Sequence, residues 1–260
     1  MTVIADTHFH MYPCYNLDSS LRYLWKNLSS HGYADAQKAA FLVERHDCHF
    51  FDELAAGAVK TNEIESQSIL ESACLCIKFG DCSDDMLVFA GRQIVTAERI
   101  EILGLTMISS VPDGLSANET VAAILESSGT PVLAWAPGKW LFKRAAVVEK
   151  LFEEFAPGQL LVGDTALRPI IWAEPVLMRK ARLSGFTVVA GSDPLPFAGE
   201  ETRMGGYATM LRGQINALYP VTTVRRLLGV KNADTTLVGK RCGPFSAAYR
   251  VIRMMLKQRC

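Results

Sequence analysis

Short apolar runs alternate with helix-periodic segments through the middle of this chain, and that alternation limits the folds open to it. The runs at 131–135, 160–162 and 186–190 are too short for helices and are bounded by Pro and Gly. Between the first two runs, Val147 and Leu151 lie on one stripe of a predicted helix. Parallel strands need such crossovers, and strands that are apolar throughout need helices over both faces. The pattern therefore predicts an α/β protein with a parallel sheet.

The remaining segments extend the same plan. Ser116 and Glu119 form a capping-box pattern, which predicts the start of a further helix. The other predicted elements are strands at 3–5, 39–43 and 105–108, helices at 17–28, 96–103 and 172–184, and a hairpin-like excursion over 69–90. The chain has 260 residues, and a (β/α) barrel needs roughly 250. We expect one domain, 1–260, folded as a distorted, TIM-like (β/α) barrel of about seven parallel strands.

The charges of the chain balance. Lys plus Arg and Asp plus Glu number 27 each, so the formal net charge is +0. Without a net positive field, we expect a small-molecule substrate, no nucleic-acid partner and no membrane partner. A basic cluster near the end is predicted to be a solvated helix face; it consists of Arg250, Arg253, Lys257 and Arg259. The sequence leaves the oligomeric state open.

Cysteine usage and the first residues bear on the compartment. The seven cysteines include one close pair, Cys74 and Cys76, and free thiols in a reducing cytosol are the simplest interpretation. The first residues have no basic flank and no long apolar run, and no apolar stretch reaches the ~20 residues of a membrane helix. A cytoplasmic protein is expected.

Two histidines, His8 and His10, follow directly on the first predicted strand. Side chains at i and i+2 of an extended segment point the same way, so the two imidazoles can take one metal ion. The alternative is a pair of solvent-facing histidines. The position favours a site, because ligands bind at the carboxyl ends of strands in parallel α/β folds.

A carboxylate occupies the equivalent place after the strand at 186–190. Asp193 lies in the segment Gly191-Ser-Asp193-Pro-Leu-Pro196. There it could bind a metal and take a proton from bound water. The alternative is an Asp-Pro turn whose side chain only closes the loop.

Three further candidates follow the middle strands. Asp164 could be a metal ligand, a partner for an imidazole, or a helix N-cap. Arg168 could hold a substrate anion or pair with Asp164, and the sequence does not separate these roles. Lys139 could also bind an anion, with solvent exposure as the alternative.

The segment after the strand at 39–43 supplies the last candidates. Glu44 and Arg45 are nearest the strand end, so either could point into the mouth of a barrel and contact substrate. His46 and His49 converge only if their segment is helical, and a surface loop with two ordinary histidines is the favoured interpretation. His46 remains a possible ligand.

The start of the chain and the segment at 191–193 together resemble known hydrolases. The motif Asp6-Thr-His8-Phe-His10, with Asp193 near the last barrel strand, resembles the amidohydrolase superfamily and the related PHP-type phosphoesterases. The resemblance implies a distorted barrel of seven or eight strands and a metal, zinc, manganese or iron, that activates water. It makes Asp193 both a ligand and the acceptor of the proton of that water. Asp6 would support the imidazoles or be a further ligand.

The chain departs from those families in its histidines. They supply further histidines from middle strands, whereas no histidine follows His49 here. The resemblance therefore implies one divalent ion, held by His8, His10 and Asp193 with help from Glu44, His46 or Asp164, or else a barrel that has lost its metal.

Two functions from different classes follow. The first is a metal-dependent hydrolase that activates water on a small polar or anionic substrate, a phosphoester, amide or ester. The second is a catalytically degenerate barrel that binds a ligand without turnover, because fold does not decide function. Beyond these two, a purely structural or interaction role is the remaining hypothesis.

Overall fold

The computed structural model describes residues 1–33, 35–59, 61–80 and 85–256. The strands are β1 Thr2–Phe9, β2 Gln37–Glu44, β3 Ile64–Ser68, β4 Cys74–Phe79, β5 Met86–Val95, β6 Glu101–Leu105, β7 Thr130–Ala134, β8 Leu161–Thr165, β9 Val188–Gly191, β10 Tyr207–Arg212 and β11 Thr235–Gly239. The helices are α1 Leu17–Ser29, α2 Phe50–Ala55, α3 Ala117–Glu126, α4 Lys143–Glu154, α5 Val176–Leu183, α6 Pro220–Leu228 and α7 Pro244–Met255, with a 3₁₀ turn at Glu200–Arg203.

The strands form one mixed sheet in the order β11-β10-β1-β2-β5-β6-β7-β8-β9, with β3 and β4 attached beside β5. Strands β1, β2 and β5 are parallel to one another, as are β7, β8 and β9. The pairings of β5 with β6 and of β6 with β7 are antiparallel, as are those of β1 with β10 and of β10 with β11. The protein is α/β, but its sheet is not the parallel barrel of about seven strands that we expected.

The sheet curls until β9 lies against β1 and β10, which makes a nearly closed barrel. The Thr7 hydroxyl donates to the Ala190 carbonyl at 2.9 Å, and the Asp193 amide donates to the His8 carbonyl at 2.8 Å. On the other side, the Ala190 amide donates to the Thr209 hydroxyl at 2.6 Å. These bonds join the first strand to the last parallel one, so the loops at their carboxyl ends meet.

The prediction of a helix over 96–103 is wrong, because these residues belong to the hairpin that joins β5 to β6. Residues 96–100 form a tight turn in which Arg99 adopts a left-handed backbone, φ 61°. The Thr96 amide donates to the Ile100 carbonyl at 2.9 Å, so the chain reverses and β6 returns along β5. Ile102 is fully buried in β6. Sheet pairing with β5 therefore outweighs the helical propensity of this segment, and the strand expected at 105–108 lies earlier.

Other local predictions are confirmed. The excursion over 69–90 contains the antiparallel pair β4 and β5, although residues 81–84 of its turn lie outside the described residues. Ser116 caps α3 through a capping box, with Glu119 reaching back to the Ser116 amide at 3.0 Å. No helix within the described ranges is long and apolar enough to cross a membrane.

The structure corrects two other expectations about side chains. Arg250 is not on a solvated helix face, because it is 1% exposed on α7, and Arg253 stacks 4.1 Å from the ring centre of Phe197. Lys257 and Arg259 lie outside the described residues. Four described cysteines are free, whereas Cys14 is disulfide-bonded, against the expectation of free thiols throughout; the free ones are Cys48, Cys74, Cys76 and Cys242.

A buried carboxylate holds the barrel seam together. Asp6 is fully buried in β1 and accepts from the Ser192 amide at 2.9 Å and the Ser192 hydroxyl at 2.5 Å. It also accepts from the amides of Gly205 at 2.8 Å and His8 at 3.1 Å. Burial raises the pKa of Asp6, and these hydrogen bonds oppose the shift. The carboxylate thus ties β1 to the segments that follow β9 and precede β10.

We predict that Asp6→Ala lowers the free energy of unfolding by at least about 3 kcal/mol. The reason is that the buried donors of Ser192, Gly205 and His8 would lose their hydrogen-bond acceptor at once. Asp18→Ala is the matched control, since Asp18 also accepts backbone amides, from Asn62 and Glu63, but at an exposed position. There we expect a loss of about 1 kcal/mol or less, because water replaces the lost acceptor. Urea unfolding of both variants measures the difference. Equal losses would contradict the role given to Asp6.

Candidate metal centre

Two imidazoles meet inside the carboxyl end of the barrel. His8 lies in β1 and His10 directly follows it, and both side chains are buried. Their Nε2 atoms are 3.0 Å apart, and the rings meet edge to face. The i, i+2 spacing therefore places both histidines on one side of the chain, as the sequence predicts.

The hydrogen bond of His10 determines its tautomer. His10 Nδ1 lies 2.6 Å from the Val43 carbonyl oxygen, which can only accept. Nδ1 therefore carries the proton, and the Nε2 lone pair faces His8. Burial, reinforced by His8 and opposed by Asp193, lowers the pKa of His10 to about 3. The ring is neutral at physiological pH, which is the form that binds metal.

Asp193 completes the group from the loop after β9. Its Oδ1 lies 3.6 Å from His8 Nε2 and 3.7 Å from His10 Nε2. Its Oδ2 accepts a hydrogen bond of 3.0 Å from the Thr165 hydroxyl, at the end of β8. Asp193 adopts a left-handed backbone, φ 47°, which Asp tolerates better than most residues. That turn and the Thr165 bond aim one carboxylate oxygen at the two imidazoles.

The donor set fits one divalent ion. The candidate ligand atoms of His8, His10 and Asp193 lie within 4.8 Å of one another. Ligands bound tetrahedrally at about 2.1 Å from a metal lie about 3.4 Å from each other, and the three separations here are 3.0, 3.6 and 3.7 Å. Two imidazole nitrogens and one carboxylate leave a fourth position free for water, as in catalytic zinc sites.

Gly191 is the reason that β9 can approach the histidines so closely. A Cβ at this position would lie 2.3 Å from the His8 Cβ and 2.4 Å from the His8 nitrogen. Any side chain would push β1 and β9 apart. The close approach of the two strands thus depends on a missing side chain.

A cleft of about 560 Å³ opens beside the three donors. His10 and Asp193 line it, and so do two of the cations proposed from sequence, Arg45 and Lys139. Lys139 pairs with Glu101 at 3.0 Å across the cleft wall, and Arg45 pairs with Asp47 at 2.8 Å. Both cations are therefore within the site, each already balanced by a carboxylate.

Asp164 and Arg168 form a separate buried network. Arg168 donates to both Asp164 oxygens, at 2.8 and 2.5 Å, and to the Trp172 carbonyl at 2.9 Å. The Tyr207 hydroxyl donates to Asp164 at 2.8 Å, and burial raises the pKa of Tyr207. The sequence leaves Arg168 either to bind a substrate anion or to pair with Asp164, and in the structure it pairs with Asp164. Within the described residues neither side chain lines the cleft.

Glu44 and His46 lie away from the three donors. Glu44 is buried and accepts from the Phe50 amide at 2.5 Å, so it caps α2, and it lies 3.5 Å from Arg92. Burial raises its pKa, and Arg92 opposes the shift. His46 is exposed and lies 3.5 Å from Asp113. Within the described residues, neither Glu44 nor His46 belongs to the candidate ligand cluster. Asp6 does not belong to it either, because its carboxylate accepts hydrogen bonds at the barrel seam.

Sequence reasoning missed three residues that shape the site. Thr165 orients Asp193 through a hydrogen bond. Gly191 lets the His8 backbone lie close to β9. The Tyr12 ring packs 5.5 Å from the His10 ring and lines the cleft. Thr165 and Gly191 each end a parallel strand, which is the one signal that could have drawn attention to them.

Solved structures share this fold at low sequence identity. PsfC from Pseudomonas syringae PB-5123 has a TM-score of 0.60 and 10% identity, over 98% of this chain and 97% of its own. The lesion-specific endonuclease PfuEndoQ from Pyrococcus furiosus has a TM-score of 0.55 and 12% identity, over 91% of this chain and 58% of its own. Endonuclease Q in complex with a 27-mer duplex carrying an abasic lesion scores 0.47 at 12% identity, over 88% and 56%.

The matches to PsfC and PfuEndoQ show the fold alone, and this chain spans 58% of the length of PfuEndoQ. No protein family matches the sequence, and no curated protein matches it either. The comparison nevertheless overturns one expectation. The zero net charge led us to expect no nucleic-acid partner, yet an endonuclease has this fold. The exclusion is wrong, because a net charge averages over the whole surface and says nothing of one cleft.

We predict that Gly191→Ala costs about 2 kcal/mol of stability or more, because the added methyl overpacks the seam. The variant should also bind less zinc or manganese than wild type, since His8 must move. Gly80→Ala is the control, because a Cβ there meets no atom of the described residues within 4 Å. Thermal unfolding and metal analysis after loading measure both effects. Unchanged metal uptake by a folded Gly191→Ala protein would contradict the geometry.

We predict that the metal-free protein loses stability as the pH falls from about 6.5 towards 3. The pKa of His10 is about 3 when folded and near 6.5 when unfolded, so the unfolded chain binds a proton that the folded chain does not. The free energy of unfolding should be about 2 kcal/mol lower at pH 5 than at pH 8 from this residue. His10→Gln should flatten this slope and His46→Gln should not. Denaturant titrations at several pH values test it, and parallel slopes in all three proteins would refute it.

Proposed function

We propose that this protein is a metal-dependent hydrolase of the PHP-like type, with residues 1–260 as one domain and one divalent ion held by His8, His10 and Asp193. The observation that carries the proposal is the mutual spacing of the three donor atoms, which fits one coordination sphere. The protein fold, which an endonuclease shares, agrees with this assignment.

In this proposal, each residue of the site has a distinct chemical role. A bound zinc, manganese or iron would lower the pKa of its water towards ~7 and polarise the scissile group. Asp193 has one oxygen towards the imidazoles and the other on the Thr165 hydroxyl, so it can accept a proton without losing its orientation. Val43 fixes the His10 tautomer through its carbonyl. The Tyr12 ring lies 5.5 Å from the His10 ring and lines the cleft beside it.

The charges of the cleft favour an anionic substrate. Its described lining holds two cations, Arg45 and Lys139, and two carboxylates, Glu101 and Asp193. Asp47 also pairs with Arg45, so two cations face three carboxylates, and a divalent ion would turn this excess of one negative charge into an excess of one positive charge. A phosphoester gains more from that field than a neutral amide does. We therefore place phosphoesters first as the substrate class, including those of a nucleic acid.

We predict that Asp193→Asn lowers kcat by ~10²-fold or more, since general-base removal commonly costs 10²–10⁴, and that His8→Ala abolishes metal uptake. Arg45→Gln should instead raise KM with little change in kcat. The measurements are metal content after loading with zinc or manganese, and turnover of bis(p-nitrophenyl) phosphate and of a DNA duplex. Arg212→Gln, at an exposed site far along β10, is the control cation.

Two results together would end the proposal. They are a wild-type protein that takes up none of the three metals, and an Asp193→Asn variant whose turnover equals that of wild type. The ligand-binding barrel without turnover would then be the better account.

A further inference from the structure

The lining of the metal cleft divides into two halves, and the strand order β1-β2-β5-β6-β7-β8-β9 explains the division. With the metal donors and Tyr12 set aside, the polar side chains of the described lining come from β2, β5, β6 and β7 or the loops that follow them; these are Arg45, Gln93, Glu101 and Lys139. The loops after β8 and β9 and helix α7 supply an apolar wall, which consists of Leu167, Leu195, Pro196, Val251 and Met254. The metal donors lie between the two halves, because β1 meets β9 at the seam.

The apolar wall is a continuous surface. Leu167 and Leu195 belong to one buried cluster, and Met254 packs against that cluster. Val251 precedes Met254 by three residues on α7, so both side chains lie on the same face of the helix. Leu195 is two residues from the metal donor Asp193. The wall therefore begins beside the metal centre and extends onto α7, where Val251 and Met254 are only half-buried and keep surface available to a ligand.

The backbone of the wall has its polar groups bonded within the protein at Leu195. The Leu195 carbonyl accepts from the Tyr15 hydroxyl at 2.5 Å, and the Leu195 amide donates to the Glu200 carboxylate at 3.3 Å. These bonds use the groups that a polar ligand would otherwise contact. A polar group placed against Leu195 would lose its water without gaining a hydrogen bond there, which is unfavourable.

The cations of α7 lie next to the wall but contribute no charge to it. Arg250 directly precedes Val251, but it is buried and pairs with the Glu200 carboxylate. Arg253 directly precedes Met254, but its guanidinium stacks 4.1 Å from the ring centre of Phe197. Neither arginine lines the cleft within the described residues. The wall therefore presents an apolar surface, although α7 is rich in basic residues.

The cations of the polar half are already paired. Lys139 pairs with Glu101 at 3.0 Å, and Arg45 pairs with Asp47 at 2.8 Å. The metal centre is thus the place where a phosphate group gains most, and the apolar wall is the place where an organic group gains from leaving water. The cleft, of about 560 Å³, has the size of a small-molecule site and accommodates both parts of one ligand.

We propose that the substrate is a phosphoester with an apolar organic group, about the size of an aromatic ring, that packs on the apolar wall. This inference rests on the metal-dependent hydrolase function proposed above, and it names the substrate class of that same cleft. The phosphate faces the metal donors, while Val251 and Met254 of α7 contact the organic group. An ester of a small polar alcohol gains less from this cleft, because the wall offers its hydroxyl groups no hydrogen bond at Leu195. Specificity then comes from α7 and the loops after β8 and β9, and the metal centre supplies affinity for any phosphate.

The test is calorimetric titration of the protein, loaded with zinc or manganese, with phenylphosphonate and separately with methylphosphonate. The two ligands carry the same charged group, and neither is turned over as an ester because the organic group is attached through carbon. Phenylphosphonate should bind at least about tenfold more tightly, since the ring buries more apolar surface than a methyl group does.

Three variants of α7 locate the preference. Met254→Gln keeps the length of the side chain and places an amide on the wall, so it should reduce the preference for phenylphosphonate at least about threefold. Val251→Thr is close to isosteric and should act in the same direction. Ile252→Gln is the matched control and should retain the preference, because Ile252 is 56% exposed on α7 and does not line the cleft.

A preference for phenylphosphonate that both wall variants reduce and Ile252→Gln retains supports the proposal. The proposal is overturned if phenylphosphonate binds the metal-loaded wild type no more tightly than methylphosphonate does, or if the preference survives in both wall variants. In those two cases metal uptake shows that the centre of His8, His10 and Asp193 still stands. A wild-type protein that takes up none of the three metals would instead remove the proposed function, and this inference with it.

Discussion

The close crossing of β1 and β9 is the constraint on which the rest of the site depends. The His8 backbone passes directly over Gly191, and the Asp193 amide bonds to the His8 carbonyl. The buried carboxylate of Asp6 holds the crossing by accepting four hydrogen bonds from both sides of the seam. Only because this seam closes do residues 183 positions apart, His10 and Asp193, share one site.

The chemistry of the site follows from burial of the two imidazoles. Desolvation makes the protonated ring of His10 unfavourable, so its lone pair is available without competition from protons. The Val43 carbonyl and the Thr165 hydroxyl then orient His10 and Asp193 from outside the donor set. Such supporting hydrogen bonds keep ligands in place before a metal binds, which lowers the cost of assembling the site.

Local charge, rather than net charge, distinguishes two cavities of this protein. In the metal cleft, carboxylates accompany the cations. A cavity at the start of α7 is lined by four cations, Arg203, Lys240, Arg241 and Arg250, and within the described residues the Glu200 carboxylate pairs with two of them. A chain of zero net charge hides this segregation completely. Folding creates the segregation, since Arg203 and Arg250 are 47 positions apart along the chain and meet only on Glu200.

The sequence by itself determined the local features: the capped helix at Ser116, the common direction of His8 and His10, and the position of Asp193 after a buried strand. Each depends on neighbours a few residues away. The tertiary structure alone decided strand direction at β6, the pairing of Arg168, and the burial of Arg250. These depend on partners distant in sequence. Strand β6 forms because it can pair with the free edge of β5. The Arg250 guanidinium is buried because the Glu200 carboxylate, from another segment of the chain, pairs with it.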